Sequence, residues 1–343
     1  MAAINLPGQT IGILGEGKLS ERLQIAARER GYKVAVLSNQ KTENLFDFAN
    51  KANLLIFESN SDETDELQAL QKYIEIPQLS ASLSVTQDRL IEKVFLESLN
   101  INVVPYAMIT SFEDLKEEVG SIGYPCVLKP IRVEKEQLSN VMLYSEEDFS
   151  KATGLLSTGA CILDAWVPFD KELTLSFASG KNGQLEPLPI SETFYQRQVL
   201  QGAVTPARIS DEMTEIIQEI GRTISEAMNL SGIISIEFLV TAVGTIYVKK
   251  ITTGVHRMLD YTLDATNINQ YELFIRAVCG LPLPEVKMTQ TVTSYLVDSE
   301  EQAPLMSQLS FQPNWYLRAT DTGWLVNAIG DDWSALSDLL GLE

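Results

Sequence analysis

The chain has 343 residues, 45% of them hydrophobic, long enough for two or three domains with sizeable cores. Its 26 Lys and Arg face 46 Asp and Glu, a net charge of −20 that disfavours nucleic acid and anionic membrane and points to small molecules or proteins as partners. No apolar run approaches the ~18 residues of a membrane span, and "MAAINLPGQTIGIL" shows neither a basic start nor a long apolar stretch, so no signal peptide is expected. Three scattered cysteines, Cys126, Cys161 and Cys279, fit a reducing cytoplasm better than a disulfide framework.

"TIGIL" (10–14) reads as a short buried strand. "LSERLQIAARERG" follows as a helix with Leu19, Leu23, Ala26 and Ala27 on one face and Gly31 just past its end. "YKVAVL" (32–37) and "NLLIF" (53–57) are two further strands, so a parallel α/β domain is expected at the N-terminus. The turn after the first strand, Gly15-Glu16-Gly17-Lys18-Leu19-Ser20, has two readings: a tight strand–helix turn, or a phosphate loop with backbone N–H groups at a helix start. Ser20 stands where a dinucleotide fingerprint needs a small third glycine or alanine, and "VLSNQ" supplies no ribose-binding acid, which argues against a nicotinamide site.

A helix is expected over 86–99 with Leu90, Ile91, Val94, Phe95 and Leu99 apolar. Pro105 leads into a strand, a helix follows Ser111, and the strand "PCVLK" ends at Lys129, whose charge is costly to bury unless it meets an anion. A helix over 211–228 carries Met213, Ile216, Ile217, Ile220, Ile224 and Met228 on one face. "IISIEFLVTAVGTIYVKKI" reads as a β-hairpin with Glu237 on one strand and Lys249-Lys250 on the other. The tail closes with "DWSALSDLLG", an amphipathic helix pattern on Trp333, Leu336 and Leu340.

Taken together, "IGILGEGKLSERL", "QDRLIEK", "IGYPCVLKP", "ILDAWVPFDKELTLSFA", "GIISIEFLV", "IYVKKITTGVHRMLDYT" and "LFIRAVCGLPL" resemble, in order, the ATP-grasp superfamily and within it the 5-(carboxyamino)imidazole ribonucleotide synthetase (PurK) family. The resemblance implies an ATP-grasp fold behind an N-terminal parallel α/β domain. The expected division is 1–92, a small lobe over 93–165, a larger lobe over 166–283 and a C-terminal subdomain over 284–343. It implies ATP-dependent carboxylation of 5-aminoimidazole ribonucleotide with bicarbonate, in purine biosynthesis, with Mg²⁺ held by carboxylates, and a cytoplasmic homodimer. Carried over residue by residue, it lays ATP contacts on Lys93, Lys129, Asp164, Val167 and Glu172. Acceptor contacts fall on Gly15, Gly17, Lys18, Asp88, Arg89 and Arg318, a metal ligand on Glu237, and catalytic roles on Lys250 and His256.

The same resemblance marks departures. It lays Lys249 and Lys250 on a metal-binding Asn-Glu pair, and an ammonium has no lone pair to give a metal. Gly254 and Asp260 replace a family arginine and a second histidine, Asp164-Ala165 replaces paired glutamates, and "PIRVEKEQLSN" (130–140) lacks the glycines of a phosphate lid. Glu237 therefore has a second reading, a cross-strand ion pair with Lys249 or Lys250, and His256 a second reading as a backbone-bonded loop histidine. Two functions follow: a working ligase that uses one metal, with Lys250 meeting the phosphates directly, or a non-catalytic relative that binds a nucleotide or a protein, and the lost ligands point to impaired carboxylation.

Overall fold

The computed structural model describes residues 4–38, 44–58, 64–79, 81–132, 140–196, 199–298, 306–307 and 309–330. The chain divides into two compact units, one built from Met1–Ser80, Glu172–Ser235 and Thr252–Glu343, the other from Ala81–Lys171 and Ile236–Ile251.

The first unit opens with β1 (Thr10–Leu14), α1 (Lys18–Glu29), β2 (Lys33–Leu37), α2 (Leu45–Ala49), β3 (Leu54–Phe57) and α3 (Thr64–Leu70). The strands form a parallel sheet in the order β2-β1-β3. Ile11 and Ile13 are fully buried, and all of Leu54, Leu55, Ile56 and Phe57 are buried, as a β3 covered on both faces requires. α1 buries Ser20, Leu23, Ala26 and Ala27, so the small Ser20 takes a packed position. Gly31, at φ +83°, lies one residue beyond the C-cap Arg30.

The second unit begins with α4 (Arg89–Ser98), capped by the Asp88 carboxylate, which accepts from the N–H groups of Leu90 and Ile91 at 2.9 and 3.0 Å. The cap sets the helix start inside the expected 86–99 span. The expected apolar face is not the buried one: Ile91 and Val94 are exposed, and α4 turns Glu92, Lys93 and Leu96 inward. Next come β4 (Tyr106–Ile109), α5 (Phe112–Ile122), β5 (Cys126–Pro130), β6 (Val141–Leu143), α6 (Phe149–Leu156) and β7 (Cys161–Ala165). Ser111 and Asp114 close a reciprocal capping box at the start of α5. The strands form an antiparallel sheet, β4-β7-β5-β6, over a core that includes Leu115, Cys126, Leu128, Phe149, Cys161 and Leu163. Residues 133–139, most of the expected lid, lie outside the described residues, as does the tail pattern from 331 onward.

The rest of the chain supplies β8 (Lys171–Ser179), β9 (Leu185–Pro187), β10 (Ser191–Gln196), β11 (Val199–Thr205), α7 (Asp211–Met228), β12 (Gly232–Val240), β13 (Ile246–Thr253), α8 (Thr262–Ala265), α9 (Gln270–Cys279), β14 (Val292–Asp298), β15 (Trp315–Ala319) and β16 (Gly323–Ile329). In the first unit they build an antiparallel run β8-β10-β11-β14-β16-β15, with β9 on β8. α7 covers the expected span and buries Ile217, Ile224 and Met228, while Ile216 stays exposed. β12 and β13 form the expected hairpin, closed by the Thr241 N–H on the Thr245 carbonyl at 2.9 Å. All three cysteines are buried and free.

Candidate functional site

The second unit gathers a cluster of charge. Lys129, at the end of β5, donates to Asp164 on β7 at 2.8 Å, and Lys93, from the inward face of α4, lies 3.1 Å from the other oxygen of the same carboxylate. Sheet register explains the first contact: Val127 is paired with Asp164, and Lys129 lies two residues along the same strand. Asp164 is buried, which alone would raise its carboxyl, but Lys129 and Lys93 hold it below the usual carboxylate range. Burial lowers Lys93, and Asp164 pulls it back.

Beside Lys93 on α4, Glu92 is buried and accepts from the Ile251 N–H of β13 at 2.5 Å. Burial pushes its carboxyl up to about 7, against the pull of that N–H and the charges of Lys250, Lys93 and Arg89. Arg89 is half-buried, and desolvation lowers it while Glu92 and Asp164 raise it. Its Nη1 has no hydrogen-bond acceptor among the described residues, an orphaned cationic donor that fits an incoming anion. Four cations, Arg89, Lys93, Lys129 and Lys250, thus meet two carboxylates, Glu92 and Asp164, in a chain whose overall charge is −20.

The hairpin resolves the two lysines. Lys249 lies 3.1 Å from the Glu237 carboxylate, while Lys250 acts on Glu92. Adjacent strand residues point to opposite faces, so one lysine cannot do both. Of the two pairings open from sequence, the one with Lys249 is adopted. These residues do not fit Mg²⁺. At ~4 Å and an effective dielectric near 20, each unit of like charge costs on the order of 4 kcal/mol, which a divalent ion beside Lys249 would meet twice over. Among the described residues, no group of three or more His, Cys, Asp or Glu could hold a metal ion.

The first unit holds the other expected site residues. Gly15 and Gly17 adopt φ of +140° and +99°, the left-handed region glycine tolerates. The Lys18 N–H at the start of α1 donates to the Asp321 carboxylate at 3.0 Å, so an acid of the chain sits where the phosphate reading places an anion. A Cβ on Gly17 would come within 2.8 Å of that carboxylate. The Lys18 side chain is exposed and paired with Glu21 at 2.9 Å. Arg318 on β15 is paired with Asp264, which also accepts from Asn327 at 2.8 Å. Arg22 on α1 is paired with the fully buried Asp260, which accepts from Gln270 and the Tyr271 hydroxyl at 2.8 and 2.5 Å. Burial raises the Asp260 carboxyl, and Arg22 opposes that shift.

His256 is exposed; its Nδ1 accepts from the Met258 N–H at 3.3 Å and its own backbone is clasped by Gln270 at 3.0 and 2.8 Å. Glu172 is buried on β8 opposite Thr193, whose hydroxyl donates to the Glu172 carbonyl at 3.3 Å. Val167 is half-buried after β7, and Asp88 serves the α4 cap. The fold therefore joins Arg89, Lys93, Lys129, Asp164 and Lys250, and separately places Gly17, Lys18 and Arg318 against carboxylates. Sequence reading missed Glu92, Arg22, Asp260, Asp264 and Asp321 as partners. Only Glu92 left a signal, a charged pair with Lys93 inside the apolar run "RLIEKVFL".

Residues 94–271 match the family model described as an ATP-grasp domain. The N5-carboxyaminoimidazole ribonucleotide synthase of Bacillus subtilis is 30% identical, over 81% of this chain and 78% of its own length. The chain belongs to the N5-carboxyaminoimidazole ribonucleotide synthase family. A second member, from Staphylococcus saprophyticus, is 26% identical over 90% of this chain and 88% of its own. A crystal structure of a synthetase of this family in its ADP complex superimposes with a TM-score of 0.92 at 28% identity, covering 99% of this chain and 97% of that one. The Staphylococcus aureus synthetase, at 23% identity and a TM-score of 0.89, shares the fold. The ATP-grasp fold and the parallel three-stranded N-terminal sheet expected from sequence are both present.

Proposed function

We propose that this chain binds an adenine nucleotide at the Arg89–Lys93–Lys129–Asp164 cluster and that the family's ATP-dependent carboxylation of 5-aminoimidazole ribonucleotide with bicarbonate is impaired in it. The observation that carries this reading is the 3.1 Å ion pair between Lys249 and Glu237, at the position where the resemblance calls for a metal ligand. Phosphoryl transfer needs the developing charge on the moving phosphoryl group to be met by cations in fixed positions. Here the Glu237 carboxylate is already partnered by Lys249 and is not open to a metal. What remains suits holding rather than reacting. Lys93 and Lys129 are fixed by one shared carboxylate, and Arg89 offers an orphaned donor to a phosphate oxygen.

The acceptor side supports the same reading. A ribose phosphate needs open N–H groups or cations. The Lys18 N–H faces Asp321, and Arg22 and Arg318 are paired with Asp260 and Asp264, although Arg318 Nε keeps no acceptor among the described residues. The test is calorimetric titration of ATP with and without Mg²⁺, followed by nucleotide hydrolysis with 5-aminoimidazole ribonucleotide and bicarbonate. Nucleotide binding without turnover is expected. Steady-state rates close to those of the Bacillus subtilis relative would instead establish a working carboxylase.

A further inference from the structure

We propose that the nucleotide site of this chain takes its polyphosphate without a divalent cation, the charge being met by Arg89, Lys93, Lys129 and Lys250. The inference rests on the nucleotide-binding reading above and names the form of the ligand.

A metal bridging phosphates needs carboxylate lone pairs with no stronger claim on them. Each acid in this part of the second unit has such a claim. Glu237 lies 3.1 Å from Lys249. Asp164 lies 3.1 Å from Lys93 and 2.8 Å from Lys129. Glu92 is buried and accepts from the Ile251 N–H at 2.5 Å. Counting the Lys249–Glu237 pair, the resident cations exceed the carboxylates five against three, and one guanidinium donor, Arg89 Nη1, has no acceptor among the described residues. An added divalent ion would deepen that excess, and the attraction between the cluster and a triphosphate grows with the nucleotide's negative charge. The magnesium complex of ATP carries about half the negative charge of the bare nucleotide and so offers this cluster less. Lysine and arginine need no dehydration of a strongly hydrated ion and deliver directed N–H donors to phosphate oxygens.

The experiment is isothermal titration of the full chain with ATP, once in excess EDTA and once in excess Mg²⁺. Binding in EDTA is expected to match or exceed binding with Mg²⁺, by up to about tenfold. Lys250→Gln and Arg89→Gln are each expected to weaken ATP in EDTA about tenfold. Lys249→Glu, which places a carboxylate beside Glu237, is expected to turn the preference toward the magnesium complex; where that variant does not fold, Lys249→Gln is expected to reduce the preference for bare ATP. Wild-type binding that requires Mg²⁺ would overturn the inference and leave the nucleotide reading standing. Absence of binding under both conditions would overturn the two together.

Discussion

Lys249 and Lys250 are neighbours in sequence with different physical roles. Lys249 faces Glu237 with about a quarter of its side chain exposed, and Glu237 is exposed to a similar degree. A pair at that depth is screened in part by water, so its loss costs less than that of a fully buried pair. Lys249→Ala should therefore lower stability by ~1–3 kcal/mol, since it takes the cation from Glu237 inside a paired hairpin. Lys250→Ala should cost less, because Glu92 keeps its Ile251 N–H bond and the charges of Lys93 and Arg89. Denaturant unfolding of the two variants tests the order; equal losses would place the ion pair elsewhere.

At the level of single elements, α4 couples a helix start to a strand. It presents Glu92 to β13 and Lys93 to β7, at the expense of Ile91 and Val94, which face outward. Glu92 has a pH signature. Its folded-state carboxyl is raised from 4.5 to about 7, so the folded chain holds that proton more tightly than the unfolded chain. The stability this contributes is complete below about pH 4.5 and is lost as pH rises through about 7, by a few kcal/mol at most. Glu92→Gln should flatten that fall, read as melting temperature from pH 4.5 to 7.5. Asp164, held low by Lys129 and Lys93, acts in the opposite sense: its contribution is lost as pH falls below the ordinary aspartate range.

The start of α1 is the second informative element. A carboxylate there is stabilised by the exposed N–H groups and the helix dipole. Asp321→Asn should cost ~0.5–1 kcal/mol for that reason. It should also free the turn for an outside anion, so inorganic phosphate, undetectable or weak on the parent chain, should bind about tenfold tighter to the variant. Phosphate titration followed by melting temperature reads both effects. An unchanged phosphate response would mean that Asp321 does not compete for the turn.

For the whole molecule, the net charge of −20 and the local excess of cations in the second unit have to be read together. A strongly negative surface repels anions at long range. A nucleotide site in such a chain needs concentrated positive charge at short range, and α4, β5 and β13 supply it from three stretches of sequence. In the first unit Arg22 of α1 and Arg318 of β15 are each paired with a buried or half-buried aspartate, which offsets the charge they would offer a phosphorylated acceptor. Retained binding on one side and closed charge pairs on the other are what set this chain's proposed chemistry apart from turnover.

The β-α-β start, the α7 helix and the hairpin are legible in the chain because strand alternation, helical period and turn residues are local signals, and the family is legible through the resemblance of several blocks in order. The resemblance lays Lys249 and Lys250 on the positions of a metal ligand set. Which lysine meets Glu237 is settled in three dimensions, since adjacent strand residues face opposite ways and the partner is set by hairpin register. The tertiary structure likewise decided that α4 turns Glu92 and Lys93 inward. The apolar pattern favoured the other face, but Asp164 and the Ile251 N–H repay the burial of charge there. The Asp321 contact with Lys18 spans 303 residues, and a pairing at that separation has no local signature in the chain at all.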